Sequence, residues 1–138
     1  MHKAKACVIA CIDFRFQNSV QNFLKDKGYL GKCDTIILAR ASRDLVKPLE
    51  KFHKELILRQ IDMSVKLHDP EEIIVIDHQD CGGYAQDGTI PQGLDLAEDE
   101  KLHIKYARKA FAILTKKYPD KKIQIFYATL DGPIKKLI

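Results

Sequence analysis

Four short runs of apolar residues recur along the chain, and they predict four β-strands. These runs cover residues 5–12, 35–38, 72–77 and 122–127. They are almost continuously apolar, which is typical of strands that are covered on both faces of a parallel sheet. The turn signal Asp131-Gly132 precedes a fifth segment, residues 133–138, which predicts a short returning edge strand.

The segments between these runs carry apolar residues at helical spacing and predict three helices. The first covers residues 16–27, with Gly28 placed to cap its C-terminus. The second starts near a capping residue such as Asp44, has Pro48 in its first turn, and ends before Pro70. The third covers residues 96–118. The predicted buried stripes are Phe16, Val20, Phe23 and Leu24, then Leu49, Phe52, Leu56, Ile57, Ile61 and Val65, and then Ile104, Ala107, Phe111 and Leu114.

This alternation of strands and helices predicts an α/β fold. We expect three layers, with about four parallel strands and an antiparallel C-terminal edge strand between flanking helices. The length of 138 residues suits a single domain with its own core. Residues 82–93, rich in Gly, Gln and Pro, are predicted to form a loop. Ligands of such sheets bind beyond the C-terminal strand ends, where the strand order reverses.

Composition and charge narrow the classes of function. The net charge is +4, but the lysines are scattered and form no long basic run, so we expect no nucleic-acid partner. No apolar run approaches the roughly 20 residues that cross a membrane. The first residues lack the pattern of a signal peptide. We interpret the protein as soluble and cytoplasmic, without a membrane partner.

In a reducing compartment the four cysteines are expected to be thiols or metal ligands. Cys7 and Cys33 are predicted to be small buried or half-buried residues. Two of the histidines, His53 and His68, are predicted to be surface residues or hydrogen-bonded ones, and His103 is predicted to be exposed. No C-x-x-C pair is present, which disfavours a thioredoxin-like redox centre.

Cys11, His78 and Cys81 form a candidate metal site because each follows an apolar run that predicts a strand. If the first and third strands are neighbours, their ends bring these three side chains together. Two thiolates and one imidazole are a zinc ligand set that leaves a fourth position for water. Unrelated buried cysteines are the alternative interpretation. A purely structural zinc is disfavoured because such sites normally use four protein ligands.

Asp13 and Arg15 follow Cys11 at intervals of two residues. Asp13 could reach the metal as a fourth ligand or accept a hydrogen bond from the bound water. A bidentate ion pair with Arg15 would hold the carboxylate off the metal and keep the water position open. Because the two thiolates offset the charge of zinc, the bound water should ionise at a higher pH than the value near ~7 at a three-histidine site.

These residues resemble the motifs of the β-class carbonic anhydrases. Residues 11–15, Cys-Ile-Asp-Phe-Arg, match that family's Cys-x-Asp-x-Arg, and residues 78–82, His-Gln-Asp-Cys-Gly, match its His-x-x-Cys-Gly. Residues 127–137 are similar to the family's closing tyrosine, turn glycine and final strand. The resemblance therefore extends over nearly the whole chain.

The resemblance implies a zinc enzyme that catalyses the reversible hydration of carbon dioxide to bicarbonate. It implies a parallel sheet with an added antiparallel strand, and a homodimer as the smallest assembly. It assigns Cys11, His78 and Cys81 as zinc ligands and Asp13 with Arg15 as the catalytic pair beside the water. The mechanism expected from it is attack of zinc-bound hydroxide on carbon dioxide held in an apolar pocket.

The chain departs from the family pattern in three places. Family members usually carry an N-terminal helical arm that clasps the partner subunit, whereas this chain starts at its first strand. The family's Arg-Asn-Ala-Gly loop is replaced by residues 39–42, Ala-Arg-Ala-Ser. Asp77 replaces the usual glycine before the histidine and is expected to place an extra carboxylate near the metal. None of these changes removes a ligand.

Two other functions remain open from the sequence. The same zinc site could act on another small cumulated molecule, such as carbonyl sulfide or carbon disulfide, if the pocket admits it. Alternatively, the protein could be a non-catalytic relative that keeps zinc for stability or for binding a partner.

Overall fold

The computed structural model describes residues 2–138 and has one sheet between layers of helices. The strands are β1 (Ala6–Ala10), β2 (Cys33–Ile37), β3 (Glu72–His78), β4 (Lys122–Ala128) and β5 (Lys135–Lys136). The helices are α1 (Gln17–Asp26), α2 (Arg43–Val46), α3 (Lys51–His68), α4 (Gly82–Ala85) and α5 (Leu96–Lys117). A 3-10 turn, Phe14–Phe16, precedes α1.

The strand order across the sheet is β2-β1-β3-β4-β5. The first four strands are parallel and β5 is antiparallel to β4, so the predicted α/β architecture is confirmed. The chain passes from β1 to β2 on one side and then to β3 on the other. The order therefore reverses between β1 and β3, which pair through Ala10 and Ile76 at their C-terminal ends.

Both faces of the sheet are covered, which explains why the central strands are almost wholly apolar. One face packs against α2, α3 and α5, with Cys7, Ile9, Ile73 and Val75 among its strand residues. The other face packs against α1, which contributes Val20, Phe23 and Leu24. Cys7 is buried and Cys33 half-buried, as predicted.

The predicted second helix is wrong at its start. The chain forms the short α2 first, passes through Pro48, and begins α3 only at Lys51. The predicted end before Pro70 is confirmed, because α3 ends at His68. Residues 82–93 are not wholly loop, since α4 occupies their first four positions.

The predicted buried stripe of this segment is only partly right. Ile57 and Ile61 are buried, but Leu49, Phe52 and Leu56 are exposed. In α3 the apolar residues lie on two different faces, since positions 52 and 56 are about 100–180° around the helix from positions 57 and 61. Only the face with Ile57 and Ile61 contacts the sheet.

His103 is buried, contrary to prediction, with 1% of its surface exposed. It lies on the inner side of α5, where its ring meets the rings of Tyr84 and Tyr127 at centroid distances of 4.8 Å and 5.2 Å. Burial, with a smaller effect from His78, lowers the pKa of His103 to about 3. The imidazole is therefore neutral in the folded protein at ordinary pH.

None of the helices within residues 2–138 combines the length and the apolar character that crossing a membrane requires.

The depressed pKa of His103 predicts a loss of stability in acid. Below the ordinary histidine pKa near 6.5, His103 is protonated in the unfolded chain. In the folded chain it stays neutral until the pH falls to about 3. Stability should therefore be fully present above pH ~6.5 and should fall by up to ~1.4 kcal/mol per pH unit on acidification. Urea unfolding of wild type and His103→Leu between pH 7 and pH 4 measures this slope.

His103→Leu should lose this pH-dependent part of the stability. The control His2→Gln, which changes an exposed histidine, should keep it. An unchanged acid slope in His103→Leu would contradict the assignment.

Candidate metal centre

Parallel pairing of β1 with β3 brings the three predicted ligands to one place. Cys11 follows β1 directly, His78 is the last residue of β3, and Cys81 lies in the turn that leads into α4. One ligand atom from each side chain can be chosen so that all three lie within 4.8 Å of one another. Cys81 and His78 are buried, and Cys11 is half-buried. This spacing is compact enough for a single metal ion.

The hydrogen bonding of His78 leaves one ring nitrogen available for a metal. Nδ1 lies 2.8 Å from the carbonyl oxygen of Gln79. Since a carbonyl only accepts, Nδ1 carries a proton, and Nε2 is the nitrogen whose lone pair could bind a metal when the ring is neutral. Within residues 2–138, buried Nε2 has no hydrogen-bond partner. A backbone carbonyl on one nitrogen and a free second nitrogen is the usual arrangement of a metal-binding histidine.

The two thiols share their ionisation. The hydrogen bond from the Cys81 thiol, helped by the nearby imidazole of His78, lowers the pKa of Cys11 to about 4. The same contact with Cys11, together with burial, raises the pKa of Cys81. One thiolate is thus stabilised at the expense of the other, and one proton is held between two sulfurs. A divalent cation is the group that would replace this proton and satisfy both thiolates and the imidazole.

Asp13 and Arg15 form a bidentate ion pair beside this cluster. Arg15 Nε lies 3.1 Å from Asp13 Oδ1, and Nη2 lies 2.8 Å from Oδ2. The Arg15 backbone N–H also donates to Oδ1 at 3.0 Å, so Asp13 caps the 3-10 turn. These hydrogen bonds from Arg15 lower the pKa of Asp13. Asp13 Oδ2 lies 3.8 Å from His78 Nε2, so this ionised carboxylate borders the cluster while Arg15 engages both its oxygens.

Asp80 is a second carboxylate on Arg15, and sequence reasoning missed it. Its Oδ2 accepts from Arg15 Nη1 at 3.0 Å, and its carbonyl oxygen accepts from Nη2 at 3.0 Å. Asp80 has a positive φ of 58°, a conformation that aspartate tolerates better than most residues. Its Oδ1 accepts from the Gly93 N–H at 2.9 Å, which ties the turn to the following loop. The position of Asp80 inside the H-x-D-C motif was the available signal, but its contact with Arg15 depends on tertiary structure.

Asp99 of α5 accepts a hydrogen bond from the turn that carries Asp80. The Asp80 N–H donates to Asp99 Oδ1 at 3.2 Å, and the Tyr127 hydroxyl donates to Asp99 Oδ2. Asp99 is 1% exposed. His103 Nε2 also lies 3.3 Å from Asp99 Oδ2 but outside hydrogen-bond geometry. Sequence analysis identified none of this support, because no motif or spacing links Asp99 of α5 to this turn.

The carboxylate of Asp77, which was expected near the metal, is hydrogen-bonded to Ser42 instead. Successive strand residues project to opposite faces, so Asp77 lies on the face of the sheet opposite His78. It accepts from the Ser42 hydroxyl at 2.8 and 2.9 Å and from the Ser42 N–H at 3.3 Å. Burial raises the pKa of Asp77 to about 6, against the effect of Ser42. The expected extra carboxylate near the metal is therefore directed to the loop after β2, where Ser42 binds it.

Arg40, in the same loop, forms one wall of the site. It has a positive φ of 73°, and its guanidinium donates to Asp44 at 3.2 Å and to Gln86 Oε1 at 3.0 Å. Gly83 lies directly beneath it, because a Cβ on this residue would come within 2.1 Å of Arg40 Cγ. Glycine at position 83 is therefore required for this close approach.

A cavity of about 430 Å³ opens over the cluster. Cys11, Cys81, Asp13 and Arg15 lie along it, and its lining also includes the apolar residues Ile12, Phe14 and Ala39. A larger depression of about 820 Å³ runs along α5, but its lining contains neither cysteine nor histidine. The smaller cavity thus combines two cysteines of the cluster with room for a small molecule.

Residues 1–137 match the family model described as putative carbonic anhydrase. Two relatives from Rickettsia, both described only as uncharacterized proteins, match almost the whole chain. The protein of Rickettsia bellii is 29% identical, over 99% of this chain and 84% of its own length. The protein of Rickettsia conorii is 26% identical, over 99% of this chain and 74% of its own length.

Solved structures of low sequence identity share the fold. A tetrameric β-carbonic anhydrase of Sordaria macrospora has a TM-score of 0.68 at 14% identity, covering 99% of this chain and 82% of its own. The β-carbonic anhydrase CafA of Aspergillus fumigatus has a TM-score of 0.65 at 15% identity, covering 98% and 76%. With the family model matching nearly every residue and the sheet matching these neighbours, the chain belongs to the putative carbonic anhydrase family and is a divergent member with the β-carbonic anhydrase fold.

Proposed function

We propose that the protein is a zinc-dependent carbonic anhydrase that interconverts carbon dioxide and bicarbonate. The observation that carries this proposal is the cluster of Cys11, His78 and Cys81, with the free Nε2 of His78 turned to no other partner within residues 2–138. The family match and the β-carbonic anhydrase fold support the same activity.

We assign Cys11, His78 and Cys81 as the zinc ligands. Thiolate sulfur and imidazole nitrogen are the donors that zinc prefers, and three protein ligands leave one position for substrate chemistry. Zinc held there would supply a Lewis acid that makes a water nucleophilic at moderate pH. The protein's own contribution is to hold the ligands ready, with Gln79 fixing the ring of His78.

Asp13 and Arg15 are assigned to orient the reacting groups. Asp13, ionised and held by Arg15, presents a hydrogen-bond acceptor at the edge of the cluster. Asp80 acts as a positioning residue because it fixes the guanidinium from the opposite side. The apolar surface of Ile12 and Phe14 suits a small uncharged substrate such as carbon dioxide.

We also propose that the protein is at least a homodimer. The Sordaria neighbour is described as tetrameric, and several large apolar side chains of this chain are exposed. A cytoplasmic location, where thiols stay reduced, suits the free cysteines of the site.

The activity test is carbon dioxide hydration by the zinc-loaded protein, followed with a pH indicator in a stopped-flow instrument. We expect hydration that is slow near neutrality and rises through mildly alkaline pH, because two thiolates offset the charge of zinc. Sulfide release from carbon disulfide or carbonyl sulfide, without carbon dioxide hydration, would establish the alternative substrate instead. Neither activity in a zinc-loaded protein would make it a non-catalytic relative.

The ligand assignment predicts about one zinc per chain in the wild-type protein. His78→Ala and Cys81→Ser should each lose most of this zinc, because two remaining protein ligands bind it far more weakly. Cys33→Ser is the matched control, since this half-buried cysteine lies outside the cluster and should leave the zinc content unchanged. Metal analysis after gel filtration measures all four proteins, and full zinc retention in both ligand variants would refute the assignment.

The Asp13–Arg15 pair predicts loss of activity without loss of zinc. Arg15→Ala should lower carbon dioxide hydration by about a hundredfold, because Asp13 is freed to occupy the open metal position. Asp13→Ala should also lower activity while leaving that position open. Asp80→Asn should cost less, about tenfold, since the carbonyl of Asp80 still binds Arg15.

X-ray absorption at the zinc edge, together with the pH–rate profile, distinguishes these cases. Arg108→Ala, which changes an exposed residue of α5, is the control. An Arg15→Ala protein with wild-type activity and an unchanged zinc environment would remove the proposed role of the pair.

A further inference from the structure

One face of α3 carries large apolar side chains that contact little of the chain. Phe52, Leu56, Met63 and Leu67 are 58%, 54%, 52% and 50% exposed. At about 100° per residue they all fall within roughly 60° of one another around the helix axis. They form the outer stripe of α3, on a different face from Ile57 and Ile61, which pack on the sheet. Contiguous exposed apolar surface of this kind usually marks an interaction site.

The spacing of the outer stripe reads the same in both directions along the helix. The intervals between its four members are four, seven and four residues, which follows from their positions in the sequence. Its midpoint therefore falls between Arg59 and Gln60. An antiparallel copy of α3, related by a two-fold axis near this midpoint, would place Phe52 opposite Leu67 and Leu56 opposite Met63. Each apolar residue would meet another, in four layers.

The charges beside the stripe have the same symmetry. Glu55, Arg59, Asp62 and Lys66 lie along one flank, and all four are exposed. The same two-fold axis brings Glu55 near Lys66 of the second copy and Arg59 near Asp62 of that copy, each offset by two residues or about 3 Å along the helix. Both pairs join opposite charges.

Three of the four flank charges have no ion-pair partner among residues 2–138, and Asp62 has one. Among residues 2–138, Glu55, Arg59 and Lys66 take part in no ion pair, and Asp62 contacts Lys117 and Tyr118. In a single α3, Glu55 and Lys66 are about 16 Å apart along the axis, so they cannot meet. Glu55 and Lys66 can therefore meet only between copies.

We propose that two copies of this chain associate through the outer stripes of α3, packed antiparallel about a two-fold axis near Arg59 and Gln60. This proposal specifies the interface of the homodimer proposed above and does not depend on catalysis. An isologous contact must be self-complementary, and the apolar spacing and the flank charges both meet that condition. A one-signed polar flank, as at a membrane or nucleic-acid surface, is not what α3 presents, because Glu55 and Asp62 balance Arg59 and Lys66.

A charge swap tests the antiparallel pairing directly. Glu55→Lys and Lys66→Glu each place like charges opposite one another at two symmetry-related points, and each should raise the dimer dissociation constant about tenfold. The double variant exchanges the charges and should return the constant to near the wild-type value. Sedimentation equilibrium over a roughly hundredfold range of zinc-loaded protein concentration gives these constants. Two single variants that both weaken the dimer and do not rescue each other would overturn the antiparallel pairing.

Leu56→Asp tests the apolar stripe, because it places two carboxylates in the contact and should make the protein monomeric. Leu30→Asp is the matched control, since Leu30 is 49% exposed, close to the 54% of Leu56, and lies outside α3. Zinc content and far-UV circular dichroism report whether the variants remain folded. If Leu56→Asp failed to fold, the charge swap would still decide the question.

The outcomes separate this interface from the other proposals. A wild-type dimer that is unaffected by Leu56→Asp and by the charge variants would refute the α3 interface and leave the dimer standing. A wild-type monomer at every concentration would refute both. Zinc content and carbon dioxide hydration are measured separately. Failure of the proposed activity therefore does not change the conclusion about the dimer or about its α3 interface.

Discussion

Parallel pairing of β1 with β3 is the constraint on which the candidate site depends. It aligns the C-terminal ends of two strands that are separated by more than sixty residues. The proximity of Cys11 and His78 follows from that alignment. Backbone hydrogen bonding sets this register, and apolar side chains on both faces keep it. A slip of one residue would turn His78 to the opposite face of the sheet. The cluster is thus a consequence of strand register rather than of a local motif.

The second level of organisation is hydrogen bonding that restricts side chains already brought together. The Gln79 carbonyl selects the tautomer of His78, and Arg15 holds Asp13 in one orientation. Asp80 then links Arg15 to the loop at Gly93, and Asp99 supports the turn from α5. Each outer hydrogen bond restricts the conformation of a side chain that lies closer to the cluster. A site built in this way keeps its geometry without a ligand, which lowers the entropic cost of binding one.

Asp77 and the loop after β2 are linked by hydrogen bonds. A buried carboxylate such as Asp77 is unfavourable unless it is hydrogen-bonded, and Ser42 supplies both a hydroxyl and a backbone N–H. Arg40 in the same loop rests on Gly83, where no side chain would fit. The loop after β2 and the segment around the end of β3 are therefore joined by direct contacts. The three candidate ligands lie beside these contacts and remain clustered.

The sequence by itself determined the α/β class, the alternation of the strands with the longer helices, and the three residues of the candidate metal cluster. These follow from local signals, namely apolar runs, helical periodicity, and Cys and His placed just after strands. It also indicated Asp13 and Arg15, because their spacing from Cys11 is short. What it missed is long-range: Asp80 on Arg15, Asp99 under the turn, and the burial of His103. Phe52 and Leu56 show the reason, since periodicity identifies an apolar residue on a helix, but only tertiary packing decides which apolar face meets the sheet and which is left for solvent or a partner.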